Sequence, residues 1–400
     1  MLLITVVAEA QKFDTLGLGW SKTSVNAVIF RKNSITSFKD MHYASYYDSN
    51  GNVVLGVQKG SGSWKIRKTE LKGRVADAHN SISMIVDGDG YLHLCWDHHN
   101  NKLNYVRSRT PGSLELESAS MIGESEEKVT YPEFYRLANG DLVFLYRSGE
   151  SGRGNLIMNR YEIKSKRWQR IQDNLIDGEG ERNAYWQATV SSAGTIHLSW
   201  VWREEPDVAT NHDLCYARSR DGGITWERSN GSKYSLPLNA SNAEYAMKIP
   251  QQSELINQTS MSTVRDNPVI ATYWREQNTN VPQFFVVWNN GKIWKKEQVS
   301  KRTQPFSLKG GGTKKIPISR PMVISKKKMI YRDNERGYLV TIATRRRKGW
   351  TYRDLIKIED SSWEPSGEGS KLFLQDVGQG DGEKLADKKP TPVVILTYRR

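Results

Sequence analysis

The chain is poor in cysteine, with only Cys95 and Cys215 in 400 residues. That excludes a disulfide framework. With no CxxC beside either residue the default is two buried thiols, and a shared disulfide or a structural metal is the alternative. Long runs of helix formers at 3.6 spacing are few, which counts against a helical fold. The apolar run at residues 2–8 is too short to span a bilayer. No three-histidine zinc motif stands at helical spacing and no serine sits in a nucleophile elbow, so hydrolysis by those routes has no support. Acid is also in deficit: 58 Lys and Arg face 44 Asp and Glu, a net charge of +14. The expected partners are therefore anionic, and nucleic acid, a membrane surface and an acidic polysaccharide are the candidates.

Thirteen Trp, eighteen Tyr and thirty-two Gly point to a β-rich chain with many turns. One phrase recurs: an apolar strand, a tight polar turn, a second strand ending in an aromatic, then a third strand. Its turns fall at 48–51, 87–90, 138–140, 192–194, 265–267, 326–328 and 367–369. Seven repeats at irregular spacing predict an all-β fold, a seven-bladed β-propeller of four-stranded antiparallel blades. Such a ring needs its last blade tied to its first, and the strand around 26–31 is placed to close it. Residues 1–10 read as the remnant of an export signal and 11–400 as a single propeller domain, which implies a secreted or periplasmic protein and disfavours nucleic acid. The glycines at 310–312 read as a solvated loop between blades five and six, since no strand-to-helix context supports a phosphate loop.

Candidate chemistry clusters at one end of the repeats. In residues 76–105 an Asp-Gly turn joins two apolar runs, so His79, which opens the hairpin, faces His98 and His99, which close it. Aligning repeats on their turn glycines puts His42, Tyr131 and Tyr185 at the equivalent opening position. The closing ends carry Arg147, Arg203, Arg275 and Arg332, and His212 opens a third strand. All these ends converge on one mouth of the tunnel. His93 and His197 share a mid-strand position and read as structural.

Beyond the third strand of the fourth repeat, Ser219-Arg-Asp221-Gly-Gly223-Ile-Thr225-Trp226 matches the Asp-box of sialidase-like propellers, a structural hairpin motif. Taken with Asp77-Ala-His79-Asn80, Asp97-His98-His99-Asn100, Tyr131-Pro132 and Tyr146-Arg147-x-Gly149, the chain resembles the BNR-repeat seven-bladed propeller polysaccharide lyases, ulvan lyases among them. The motifs Arg332-Asp-Asn-Glu-Arg336-Gly337 and Gln379-Gly-Asp-Gly-Glu383 extend the likeness almost to the end of the chain. The resemblance implies a catalytic set of His79, Tyr131, Arg147 and His99. Asn80, His98, Tyr185, Arg203, His212, Arg275 and Arg332 are the expected substrate contacts.

It also implies β-elimination on a uronate-containing, sulfated rhamnose/glucuronate polysaccharide, with no cofactor required for catalysis; separately, a monomer without membrane insertion is expected. A structural zinc or calcium is compatible with it, and Cys215 near His212 is a candidate zinc pair. In the expected chemistry Arg147 neutralises the uronate carboxylate while His79 and Tyr131 divide the base and acid roles in either order. Two alternatives remain at this point: an exo-α-L-rhamnosidase acting on rhamnosyl-glucuronate ends, and a non-catalytic carbohydrate-binding propeller.

Overall fold

Tight turns between apolar strands impose antiparallel pairing, and the computed structural model carries that pairing round a ring. It describes residues 12–28, 34–151, 154–358, 361–382 and 384–398. These form seven antiparallel sheets, the blades of a propeller. Helix among them is confined to the 3₁₀ turns Val208–Thr210 and Asn334–Arg336. Blade one runs outward through Ile35–Phe38, Met41–Tyr47, Asn52–Lys59 and Lys65–Lys72. The inner strands of blades two to seven are Ser83–Val86, Val129–Arg136, Asn183–Val190, Ser260–Val264, Met322–Ser325 and Ser366–Glu368.

An N-terminal strand closes the ring, as predicted, but it is Lys12–Gly19. It pairs with Thr391–Thr397 from Lys12↔Thr397 to Gly19↔Thr391 and becomes the outer strand of blade seven. Part of the stretch at 26–31 given that role from sequence lies outside the described residues, as does the export-signal reading of 1–10. What is described of it forms a turn, in which the side chain of Asn26 imitates a neighbouring strand. Its Nδ2 donates to the carbonyl of Tyr47 (2.9 Å) and its Oδ1 accepts from the N–H of Tyr47 (2.8 Å).

The turn at 48–51 joins the second and third strands of blade one, whereas the other six predicted turns join first and second strands. The repeat was therefore aligned one strand late there. His42 accordingly sits at the turn end of its blade, bonded to the hydroxyl of Ser37 at 2.8 Å, and not at the end that carries Tyr131 and Tyr185.

Apolar cores fill the wedges between blades, with Trp200, Trp202, Trp226 and Trp363 fully buried. The Asp-box turn shows why it needs its residue types. Asp221 accepts from the hydroxyl of Ser219 and from the N–H and hydroxyl of Thr225, and Trp226 donates to the Gly223 carbonyl while filling the core. Gly88 is required where two blades touch: its N–H donates to Gly140, and a Cβ there would lie 2.5 Å from the Gly140 Cα.

His93 and His197 occupy equivalent buried sites, each held between a tyrosine hydroxyl and an aspartate. Both cysteines are buried and unbridged. Among the described residues no helix is long and apolar enough to cross a membrane.

Candidate active site

Each first strand starts, and each second strand ends, at the same face of the ring, so the side chains at those ends surround one mouth. The pocket there has a volume of about 290 Å³. Its wall contains His79, His99, Tyr131, Arg147, Tyr185, Arg203 and Arg332, which the strand-end reasoning had grouped.

Two local devices aim these groups. Tyr131 lies in a β-bulge, since Thr130 pairs with Arg147 but Glu133 pairs with Leu145, leaving Tyr131 and Pro132 opposite one residue. Its φ of +56° is left-handed, a strained conformation for an aromatic that re-aims the ring. Pro132 has no N–H to leave unpaired there. The second device is a borrowed strand: after Cys95 the chain leaves blade two, and His99–Asn101 pairs with Val129–Arg136 of blade three. His99 therefore reaches the mouth through its neighbour's sheet and not as the end of its own hairpin.

Asp77 organises the pair of histidines. Its Oδ1 accepts from the backbone N–H of His79 (2.9 Å) and faces His79 Nδ1 (2.6 Å), while its Oδ2 faces His99 Nδ1 (2.5 Å). Burial opposes its ionisation, but the hydrogen bonds from His79 and His99 outweigh that and hold the carboxyl far below the usual range. An ionised acceptor requires N–H at both Nδ1 atoms. In each neutral ring Nε2 is then the unprotonated nitrogen.

The two rings stack at 4.2 Å between centroids, and His79 lies 5.8 Å from the Tyr131 ring. Burial depresses the pKa of His79, with the charge of Arg147 adding to the effect against Asp77, so His79 is neutral at neutral pH. Asp77, His79 and His99 also form the one group of three metal-ligating side chains found among the described residues.

The arginines set the field. Arg147, 6% exposed, donates from Nη2 to the Thr130 hydroxyl at 3.2 Å and stands over the Tyr131 ring at 5.3 Å. Arg203, 8% exposed, donates to Asn211, Tyr185 and Asn257, all neutral acceptors. Neither has a carboxylate partner among the described residues. A buried, unneutralised guanidinium is costly, so two at one mouth make the approach of an anion electrostatically favourable. The two tyrosines at the mouth diverge. Burial and the neighbouring Tyr185 push Tyr131 well up. For Tyr185, burial is outweighed by Arg203 and Arg147, which bring its pKa below the ordinary value.

The other sequence candidates lie elsewhere or act indirectly. Arg332 lines the pocket but donates to the backbone carbonyls of Trp363, Pro317 and Ile316, and burial lowers its pKa to about 10. It anchors the loop before blade six. Asn80 is buried and its side chain ties the Asp77 turn to the Arg74 carbonyl. His98 is fully buried and accepts from the N–H of Asn104, and burial with Arg74 brings it to about 3. Arg275 donates to the carbonyls of Gln252 and Thr279, outside the pocket. His212 commits both ring nitrogens to Glu204 and Asp213. Cys215 is fully buried, and neither residue belongs to a metal-ligating group among the described residues.

Two contributors were missed from sequence. Asp77 was signalled only by an acid two residues before a histidine. The loop between blades five and six lines the pocket with Leu308, Ile316 and Ile318 rather than lying in solvent, and those apolar residues were its signal.

The fold is that of the propeller polysaccharide lyases. The crystal structure of polysaccharide lyase Uly1 aligns with a TM-score of 0.62 at 15% identity, over 92% of this chain and 90% of that one. A PL25 ulvan lyase aligns with a TM-score of 0.62 at 16% identity, over 86% and 84%. The same enzyme type solved bound to -[GlcA(1-4)Rha3S]- aligns equally well at 15% identity. Within that architecture the chain belongs to the BNR repeat-containing family, which its residues 41–302 match. A curated relative, the short isoform of ulvan lyase from Alteromonas sp. (strain LOR), is 24% identical over 168 residues, 38% of this chain. The match spans 31% of that relative's length.

Proposed function

We propose that the protein is a polysaccharide lyase that cleaves a uronate-containing, sulfated rhamnose/glucuronate polysaccharide by β-elimination. The observation that carries this reading is the pair of buried arginines without acidic partners among the described residues, set beside a neutral histidine whose Nδ1–H is fixed by a carboxylate. Loss of the C5 proton of a uronate places a second negative charge beside its carboxylate. Arg147, paired with that carboxylate, lowers the energy of the enolate-like transition state.

The divergent pKa values favour one division of labour. His79, neutral, takes the C5 proton at Nε2; the electrons form the C4–C5 double bond; the bond from C4 to the glycosidic oxygen breaks. Tyr131, kept protonated, gives that oxygen its proton. Asp77 steadies the imidazolium that forms on His79, and His99 packs against it. Arg203 and Tyr185 hold the neighbouring sugar. The chemistry is assigned to these side chains and calls for no cofactor.

Hydrolysis of a rhamnosyl-glucuronate link by paired carboxylates is less well served. Glu364 is the single acid among the described pocket-lining residues, and Arg320 holds it. The test is incubation with a panel of uronate polysaccharides while following the ultraviolet absorbance of a 4,5-unsaturated uronate. Rising absorbance with a sulfated glucuronate–rhamnose polymer is the expected result. Released rhamnose without absorbance would identify a hydrolase, and binding without either product a lectin.

A further inference from the structure

Much of the positive charge lies away from the mouth. In blade six the turn after Met322–Ser325 presents Lys326 and Lys327, and the turn between Leu339–Arg346 and Gly349–Lys357 presents Arg346, Arg347 and Lys348, all exposed. Both turns lie at the opposite end of the blade from the strand ends that form the pocket. Together with Trp288 of blade five they border a groove of about 640 Å³ between the two blades. Its one lining acid, Glu297, is already taken by Arg345. Lys326, Lys327, Arg346 and Arg347 have no ion pair among the described residues.

Unpaired like charges crowded on two adjacent turns repel one another and stabilise nothing in the fold. The surface becomes favourable when a polyanion lies along it. Guanidinium groups match sulfate and carboxylate oxygens in two-pronged fashion, and the half-buried face of Trp288 offers a flat apolar platform at the groove's edge.

We propose that this groove is a second, non-catalytic binding site for an anionic polysaccharide, tethering the polymer on the face opposite the active site. The identity of the polymer rests on the function proposed above. The groove carries one aromatic platform rather than the succession that stacks on bases in single-strand binders, and it presents no apolar wedge for a bilayer. A sulfated uronate chain, with a charge on nearly every sugar and an occasional ring face to stack, fits both features.

The test compares the wild type with the triple variant Lys326→Ala/Arg346→Ala/Arg347→Ala. A control variant, Lys59→Ala/Lys65→Ala/Lys72→Ala, removes equal charge from blade one. Affinity for immobilised sulfated glucuronate–rhamnose polymer is measured at low and physiological salt, and turnover is measured on a short oligosaccharide that fills the pocket alone. The groove variant should bind the polymer roughly tenfold more weakly at low salt, with a shallower salt dependence. The control should bind as the wild type does, and turnover of the oligosaccharide should be unchanged in both.

Equal polymer affinity of the groove variant and the wild type overturns the proposal, even if the protein proves to be a lyase. Equal weakening in both triple variants also overturns it, because net charge alone would then explain the binding. Tighter groove-dependent binding of duplex DNA than of the polysaccharide would reassign the groove to nucleic acid. Groove-dependent polymer binding without turnover in the wild type would support the tether while sinking the lyase reading.

Discussion

Asp77 gives the sharpest test of the proposed chemistry. In Asp77→Asn the amide oxygen should take the place of Oδ1, because that atom accepts both the backbone N–H and the Nδ1–H of His79. The amide NH₂ then meets His99 Nδ1, and His99 must move its proton to Nε2. His79 keeps its orientation but loses the negative charge that raises its pKa, while Arg147 continues to lower it. Its pKa therefore falls further below about 6.5. The acid limb of kcat/KM, where the base becomes protonated, moves to lower pH, and the plateau drops with the weaker base by about tenfold to a hundredfold. Asp77→Ala removes the orienting contacts altogether and should approach the full contribution of a general base, ~10²–10⁴ in rate or ~2.7–5.4 kcal/mol. Initial rates from unsaturated-uronate absorbance across the acidic and neutral range supply the profile, with a thermal midpoint to show that the variant is folded. A plateau loss with an unmoved acid limb, or one moved upward, would mean that His79 is not the titrating base and that Asp77 only supports the turn.

Arg147→Ala should lose about a hundred- to a thousand-fold in rate, ~2.7–4 kcal/mol, and Arg147→Lys should recover part of it. On the methyl ester of the same substrate the alanine variant should lose much less; equal losses on acid and ester would make Arg147 structural. Trp226→Ala should destabilise the protein by ~3–5 kcal/mol in urea unfolding while leaving kcat near wild type, because the indole fills the core beneath the Asp-box and does not line the active-site pocket. A change in stability below ~1 kcal/mol would show that the hairpin tolerates its loss.

The parts of this architecture legible in the sequence were those set locally. Asp-Gly and Asn-Gly turns fix their own hairpins, and a residue's distance from such a turn fixes which end of a blade it reaches, which grouped His79, Tyr131, Arg147, Tyr185 and Arg203. What failed depends on partners distant in the chain. Nothing local marks Lys12–Gly19 as the closing strand, because its partner, Thr391–Thr397, is far away in the sequence. The stretch at 26–31 reads as strand because 27–30 is an apolar run, yet Asn26 stands in a turn and only its side-chain amide does a strand's hydrogen bonding. At 48–51 the turn chemistry is right, but nothing local says whether a turn joins first to second or second to third strands. Spacing put His98 beside His99; burial separates them, since one side chain turns into the blade and the other is carried out by the strand lent to blade three. Arg332 shows the limit of counting from turns: it reaches the mouth, yet carbonyls of the adjoining loop take its donors.

The pairing of residues 12–19 with 391–397 also sets the order of events during synthesis. The strand at 12–19 is made before the blades and its partner after them, so the ring stays unsealed until residues 391–397 have emerged, and the sequence separation makes that pairing slow. Until then the waiting strand is unpaired, and once made, the outer edge of Thr391–Thr397 is an open template. Two chains finished side by side can each accept the other's waiting strand and become a swapped pair of rings. Crowding of nascent chains favours that exchange.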